Sequence, residues 1–86
     1  MQLSEKLAVA TDIVRKLVRD IAPMPLPLDT ITVPQEILLQ TECEQGNEAE
    51  ELGVAAINAL LLSGECELAL LREEYADFCD YGIRFR

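Results

Sequence analysis

Along residues 3–21, "LSEKLAVATDIVRKLVRDI", Leu3, Leu7, Ala10, Val14, Leu17 and Ile21 recur at alternating steps of four and three. That spacing puts them on one stripe of a helix and predicts a first helix over about residues 3–22, with Ser4 available as a cap. Val9, Ile13 and Val18 widen the stripe beyond a coiled-coil seam, so this helix is expected to dock into a core. Lys6, Arg15, Lys16 and Arg19 take the remaining positions, and the basic carboxyl end suits the helix dipole.

All four prolines of the chain fall in "APMPLPLDTITVP", Ala22 to Pro34. Pro23, Pro25 and Pro27 fix their own φ and hold Ala22, Met24 and Leu26 extended, so the helix must end near Ala22. A Pro-rich extended crossing is therefore expected at 23–33, a polyproline-like strut whose Met24, Leu26 and Leu28 lie over the core. A Pro-rich ligand for an aromatic-lined groove is the other reading of the same residues. Thr30–Val33 and the terminal "YGIRFR" (81–86) both alternate, and they could pair as a minor two-stranded ribbon.

Thr32-Val33-Pro34-Gln35 reads as a capping box with proline in the first turn, opening a second helix at about 34–45 that Gly46 ends. Asn47, with Glu48, Glu50 and Glu51 behind it, opens a third at 48–62. Its body, Leu52 to Leu62, has Asn58 as its only polar side chain. Such a helix must be surrounded, either by the other helices or by a partner. After Ser63-Gly64, Leu68, Leu71, Tyr75 and Phe78 follow at three, four and three, predicting a fourth helix at about 65–81 with Gly82 as its stop. The expected fold class is all-α: one domain, residues 1–86, built as a small bundle of about four helices.

Gly64 at a turn, Ala69 five residues later and Ala76 seven beyond match the small-residue positions of a tetratricopeptide hairpin. Residues 47–82 thus resemble one helix-turn-helix unit of that family, with Leu60 standing where its large aromatic would be and Tyr81 where its terminal proline would be. The resemblance implies a helical hairpin that binds protein. Small acidic proteins with such hairpins are similar to the chaperones of bacterial secretion systems, which cover an aggregation-prone subunit.

Composition narrows the chemistry. The net charge is −9, distributed as +1 over residues 1–28, −12 over 29–80 and +2 over the last six. Direct nucleic-acid binding and attachment to anionic membranes are disfavoured by that sign. A basic protein partner is favoured, unless the acidity serves only solubility. Apolar runs stop short of the roughly 20 residues that span a bilayer, and no basic region precedes an apolar stretch at the amino terminus, so neither a membrane segment nor a signal peptide is expected. The expected location is cytoplasmic.

Cys43, Cys66 and Cys79 form no close pair and read as reduced, mostly buried thiols. With no histidine, neither a zinc site nor histidine acid–base chemistry is on offer. Cys43 and Cys66 are each flanked by glutamates, which oppose thiolate formation. Pairs such as Glu73 with Asp77 are ordinary among sixteen acids. No phosphate loop or nucleotide fingerprint occurs. No catalytic residue, metal or cofactor is expected, and the chain reads as a non-enzymatic protein-interaction module.

Its expected contact surface is an apolar helical flank of Leu60, Leu61, Leu68, Leu71, Tyr75 and Phe78. The acidic rim would be Glu65, Glu67, Glu73, Glu74, Asp77 and Asp80, facing another protein chain, identical or foreign. The alternative is an acidic mimic of nucleic acid that inhibits a basic nucleic-acid-binding protein, of phage or defence type.

Overall fold

The computed structural model describes residues 2–43, 47–71 and 80–86. The fold is mixed α/β. Three helices, α1 (Leu3–Ile21), α2 (Thr32–Gln40) and α3 (Glu48–Leu62), pack on one antiparallel sheet. The sheet comprises β1 (Leu26–Pro27), β2 (Cys66–Leu70) and β3 (Tyr81–Phe85), in the order β1-β3-β2. The expected all-α four-helix bundle is therefore wrong at its fourth member. Of the helix expected at 65–81, residues 66–70 are a strand, and Gly82 sits inside β3 instead of stopping a helix. The tetratricopeptide-like hairpin fails with it, because its second arm begins as β2.

The reason lies in two competing periods. Leu68, Leu71, Tyr75 and Phe78 keep a helical step, but Cys66, Leu68 and Leu70 recur every second residue. Gly64, at φ +79°, takes the left-handed conformation that returns the chain toward β3. There Cys66 faces Phe85 and Leu68 faces Ile83 across the ladder. Glu67 meets Arg84 on the other face, with Arg84 Nε 3.2 Å from Glu67 Oε1. Five matched positions on a neighbouring strand outweigh a local helical preference.

Tyr81–Phe85 is a strand, as its alternation implies, but Thr30–Val33 is not its partner. Thr30 precedes α2, and its hydroxyl accepts the Thr32 N–H at 3.3 Å. Thr32 and Val33 are already helical, and the expected capping box makes no side-chain cap bond. The helix stops at Gln40, short of 45, where Thr41 turns extended and its hydroxyl donates to the Ile37 carbonyl at 2.7 Å. At the start of α3 the Asn47 amide makes no cap bond and donates instead to Glu51 Oε1 at 3.0 Å.

The proline window carries β1. Leu26 pairs with Ile83, and the Leu28 N–H donates to the Tyr81 carbonyl at 3.1 Å. In an antiparallel pair successive residues turn their backbone groups to alternate sides. Leu26 and Leu28 therefore bond to β3, while Pro25 and Pro27, which have no N–H, occupy the outer positions.

Between the layers lies one core: Ala10, Val14 and Val18 of α1, Ile37 of α2, Ala56 and Leu60 of α3, and Leu26, Cys66 and Ile83 of the sheet. Lys6 of α1 reaches Glu48 in the first turn of α3 at 2.6 Å, both side chains largely buried. Among the described residues no helix is long and apolar enough to cross a membrane.

At Gly82 the β1 backbone comes so near that a Cβ would lie 2.6 Å from the Leu26 carbonyl oxygen. Gly82→Ala must push the strands apart, and a loss of about 2 kcal/mol is expected as a lower urea midpoint at unchanged slope. Lys6→Ala removes the ion pair that joins α1 to α3 and is expected to cost a similar amount, about 2 kcal/mol in the same assay. Lys6→Met keeps the apolar stem without the charge and should not recover it.

Candidate binding groove

One side of α3 is turned into the core by its small and large apolar residues, Ala49, Leu52, Gly53, Ala56 and Leu60. The flank beside it carries Val54, Ile57 and Leu61 at helical spacing, with Ile57 and Leu61 still touching the core. These line a hollow of about 380 Å³ together with Asn58, Leu28 beyond β1, Leu68 of β2 and Tyr81 of β3. Strand alternation explains the sheet's share. Leu68 and Tyr81 lie on the helix-facing side with Cys66 and Ile83, but past the end of the helical cover. Leu68 is consequently 52% exposed and Val54 61% exposed, whereas Ile83 is fully covered. A second hollow of about 240 Å³ shares Leu28, Val54 and Ile57 and runs on past Ile31, Val33 and Pro34. Together they form one apolar trough along α3.

Acids stand along this trough. Asp29 and Glu50 line the second hollow, and Glu50 and Glu51 flank Val54 on its other side. Glu51 accepts the Asn47 amide. Among the described residues, none of Asp29, Glu50 and Glu51 forms an ion pair.

The residues expected from the sequence are distributed differently. Leu61 and Leu68 line the trough, Leu71 is half-buried outside it, and Leu60, at 1% exposure, is core. Tyr75, Phe78, Glu73, Glu74 and Asp77 lie outside the described residues. Glu65 is held by Arg15 of α1, whose Nε donates to both its carboxylate oxygens at 3.1 and 2.9 Å. Glu67 is paired with Arg84 on the far face of the sheet. Asp80 is buried, and its carbonyl accepts the Leu71 N–H. None of these three borders the trough. Leu28, Asp29 and Tyr81 do so without having been expected at the contact surface, because only the β1–β3 pairing and the turn after β1 bring them to α3; Glu50 and Glu51, expected only as the acidic start of α3, flank the same trough from the helix itself.

Elsewhere several charges are paired within the chain. Asp12 lies 2.6 Å from Arg15, and Asp20 lies 3.6 Å from Lys16. The hydrogen bonds that Arg15 donates to Glu65, then to Asp12, hold its guanidinium above its ordinary pKa. Among the described residues no three His, Cys, Asp or Glu side chains come together as metal ligands. Burial pushes the Cys66 thiol up, the Glu65 charge adds to this, and Arg15 opposes it. Cys43 is half-buried, its Sγ 3.3 Å from the Thr41 hydroxyl.

No family model, curated protein or solved structure matches this chain.

The Cys66 environment fixes an alkaline behaviour. The folded thiol keeps its proton at pH values where the unfolded thiol has lost it, so the unfolded state binds fewer protons there. Stability is then full below the ordinary thiol pKa and falls as pH rises past it, by at most about 1.4 kcal/mol per pH unit. Urea titrations at neutral and alkaline pH should show this fall, and Cys66→Ala should reduce its slope.

Proposed function

We propose that this chain is a non-enzymatic protein-binding module whose α3 trough takes an apolar segment of another protein. The observation that carries the reading is the trough itself: Val54, Ile57, Leu61, Leu28, Leu68 and Tyr81 form one nearly continuous apolar lining that no element of the described chain covers. Burying a leucine-sized side chain there contributes about 1.5–3 kcal/mol, so a few such contacts suffice for a specific complex. The rim selects among apolar segments. Among the described residues Asp29, Glu50 and Glu51 form no ion pair, so the favoured partner has an apolar stripe flanked by lysine or arginine. An adaptor or chaperone-like role fits that surface, and free thiols at Cys43 and Cys66 fit a reducing, cytoplasmic setting.

The nucleic-acid-mimic reading gains less support. A mimic needs unneutralised carboxylates in rows, and Asp12, Asp20, Glu48, Glu65 and Glu67 are each paired with a cation of this chain.

Val54→Asp puts a charge in the centre of the trough without touching the core. It should leave the urea midpoint within about 0.5 kcal/mol of the parent. It should also abolish binding of an apolar fluorophore and weaken any captured protein partner at least about tenfold, the equivalent of about 1.4 kcal/mol. Capture that survives Val54→Asp, or that disappears in high salt, overturns the trough as the attachment site.

A further inference from the structure

The two edges of the sheet are chemically unlike. On β1 the outer positions are Pro25 and Pro27, so that edge offers no N–H to an incoming strand. On β2 the ladder to β3 is bracketed by Arg86 N–H to Glu65 carbonyl at 3.2 Å and by Leu71 N–H to Asp80 carbonyl. By alternation Glu67 and Ala69 also bond inward, and the N–H and C=O groups of Cys66, Leu68 and Leu70 point to the outer edge. Among the described residues they meet no partner there. Within the strand itself no device guards this edge: Cys66–Leu70 contains no lysine, proline or bulge. Its single charge, Glu67, is engaged by Arg84.

We infer that β2 pairs with β2 of a second copy of this chain, antiparallel and centred on Leu68. Charge selects both the occupant and the register. Centred on Leu68, the outward groups of Cys66, Leu68 and Leu70 meet those of Leu70, Leu68 and Cys66, so every facing pair on the helix side is apolar. Glu67 then faces Ala69. Centred on Glu67 the two Glu67 side chains would oppose each other, and centred on Cys66 each Glu65 would oppose a Glu67, which costs stability. A centre at Ala69 loses part of the strand length. A basic foreign strand is less favoured, because Glu65 and Glu67 already have Arg15 and Arg84. The resulting six-stranded sheet ends at both sides on a proline edge, so the assembly closes at two copies instead of extending. It also sets the two Leu68 side chains together, joining the two troughs across the symmetry axis.

The test is sedimentation over a concentration series, paired with residue-resolved amide exchange on the unmodified chain. A monomer–dimer equilibrium is expected. In the concentrated sample the amides of Cys66, Leu68 and Leu70 should exchange about tenfold slower or more, with those of Glu67, Ala69 and Leu71 unchanged. The Leu68 N–H is not used by β3, so Leu68→Pro should stay folded by circular dichroism and sediment as a monomer. A chain that stays monomeric when concentrated, an assembly beyond two copies, or a dimer without protection at those three amides overturns the inference. So does a Leu68→Pro chain that still dimerises. If Leu68→Pro unfolds, the exchange pattern of the unmodified chain decides. The inference does not rest on the trough: Val54→Asp should dimerise normally, so the two readings fail separately.

Discussion

The position of β3 between two neighbours is the constraint on which the rest of the structure depends. Ile83 is covered because Leu26 lies on one side of it and Leu68 on the other, with the helices above. That placement decides three things together. It draws residues 66–70 out of the helix their spacing also permits, it gives the prolines a strand to sit on, and it carries Tyr81 to the flank of α3. The close approach at Gly82 belongs to the same constraint, since β1 could not lie so near a residue with a side chain there.

The helical layer follows a separate logic. Ala49, Gly53 and Ala56 let α3 pack closely against its neighbours, and Lys6 with Glu48 ties the amino-terminal ends of α1 and α3. Close packing on that side leaves Val54, Ile57 and Leu61 on the adjacent flank, which the start of α2 and the sheet cover only in part. The sheet is narrower than the helix is long, so its apolar face overhangs and the trough remains. The apolar surplus of α3 in the sequence is thus met by covering half of the helix.

Much of the fold was legible because helices announce themselves locally. The stripe from Leu3 to Ile21 and the acid-led start at Glu48 both stand in helices with nearly the boundaries their sequence implies. The sheet was not legible, because its pairings join residues far apart in the chain. Thr30–Val33 has the better β composition, yet Leu26–Pro27 is what lies beside β3. Alternating prolines read as a strut until a neighbour is known on one side only. Then the missing N–H groups become the outer row of an edge. For the binding surface, the small residues of α3 already mark its inward face. On that basis Leu60 belongs to the core and Leu61 to the flank, one position apart. The acidic rim could not be read in the same way, since Arg15 lies fifty residues from Glu65 and Arg84 seventeen from Glu67.

Charge placement links the helical layer, the sheet and the trough. Three engaged acids bind one element to another: Glu48 holds α3 to α1, Glu65 holds the start of β2 to α1, and Glu67 holds β2 to β3. Among the described residues Asp29, Glu50 and Glu51 form no ion pair, and they stand beside Val54 along the trough. A chain carrying a net charge of −9 repels copies of itself at long range. Contact between copies is therefore favoured where local charge is already neutralised and apolar side chains meet, as they do at the Cys66–Leu70 edge. Where charge remains unneutralised, beside Val54, the same field turns away acidic surfaces and draws basic ones. One electrostatic pattern thus underlies both proposals, the edge for a second copy and the trough for a partner of opposite sign.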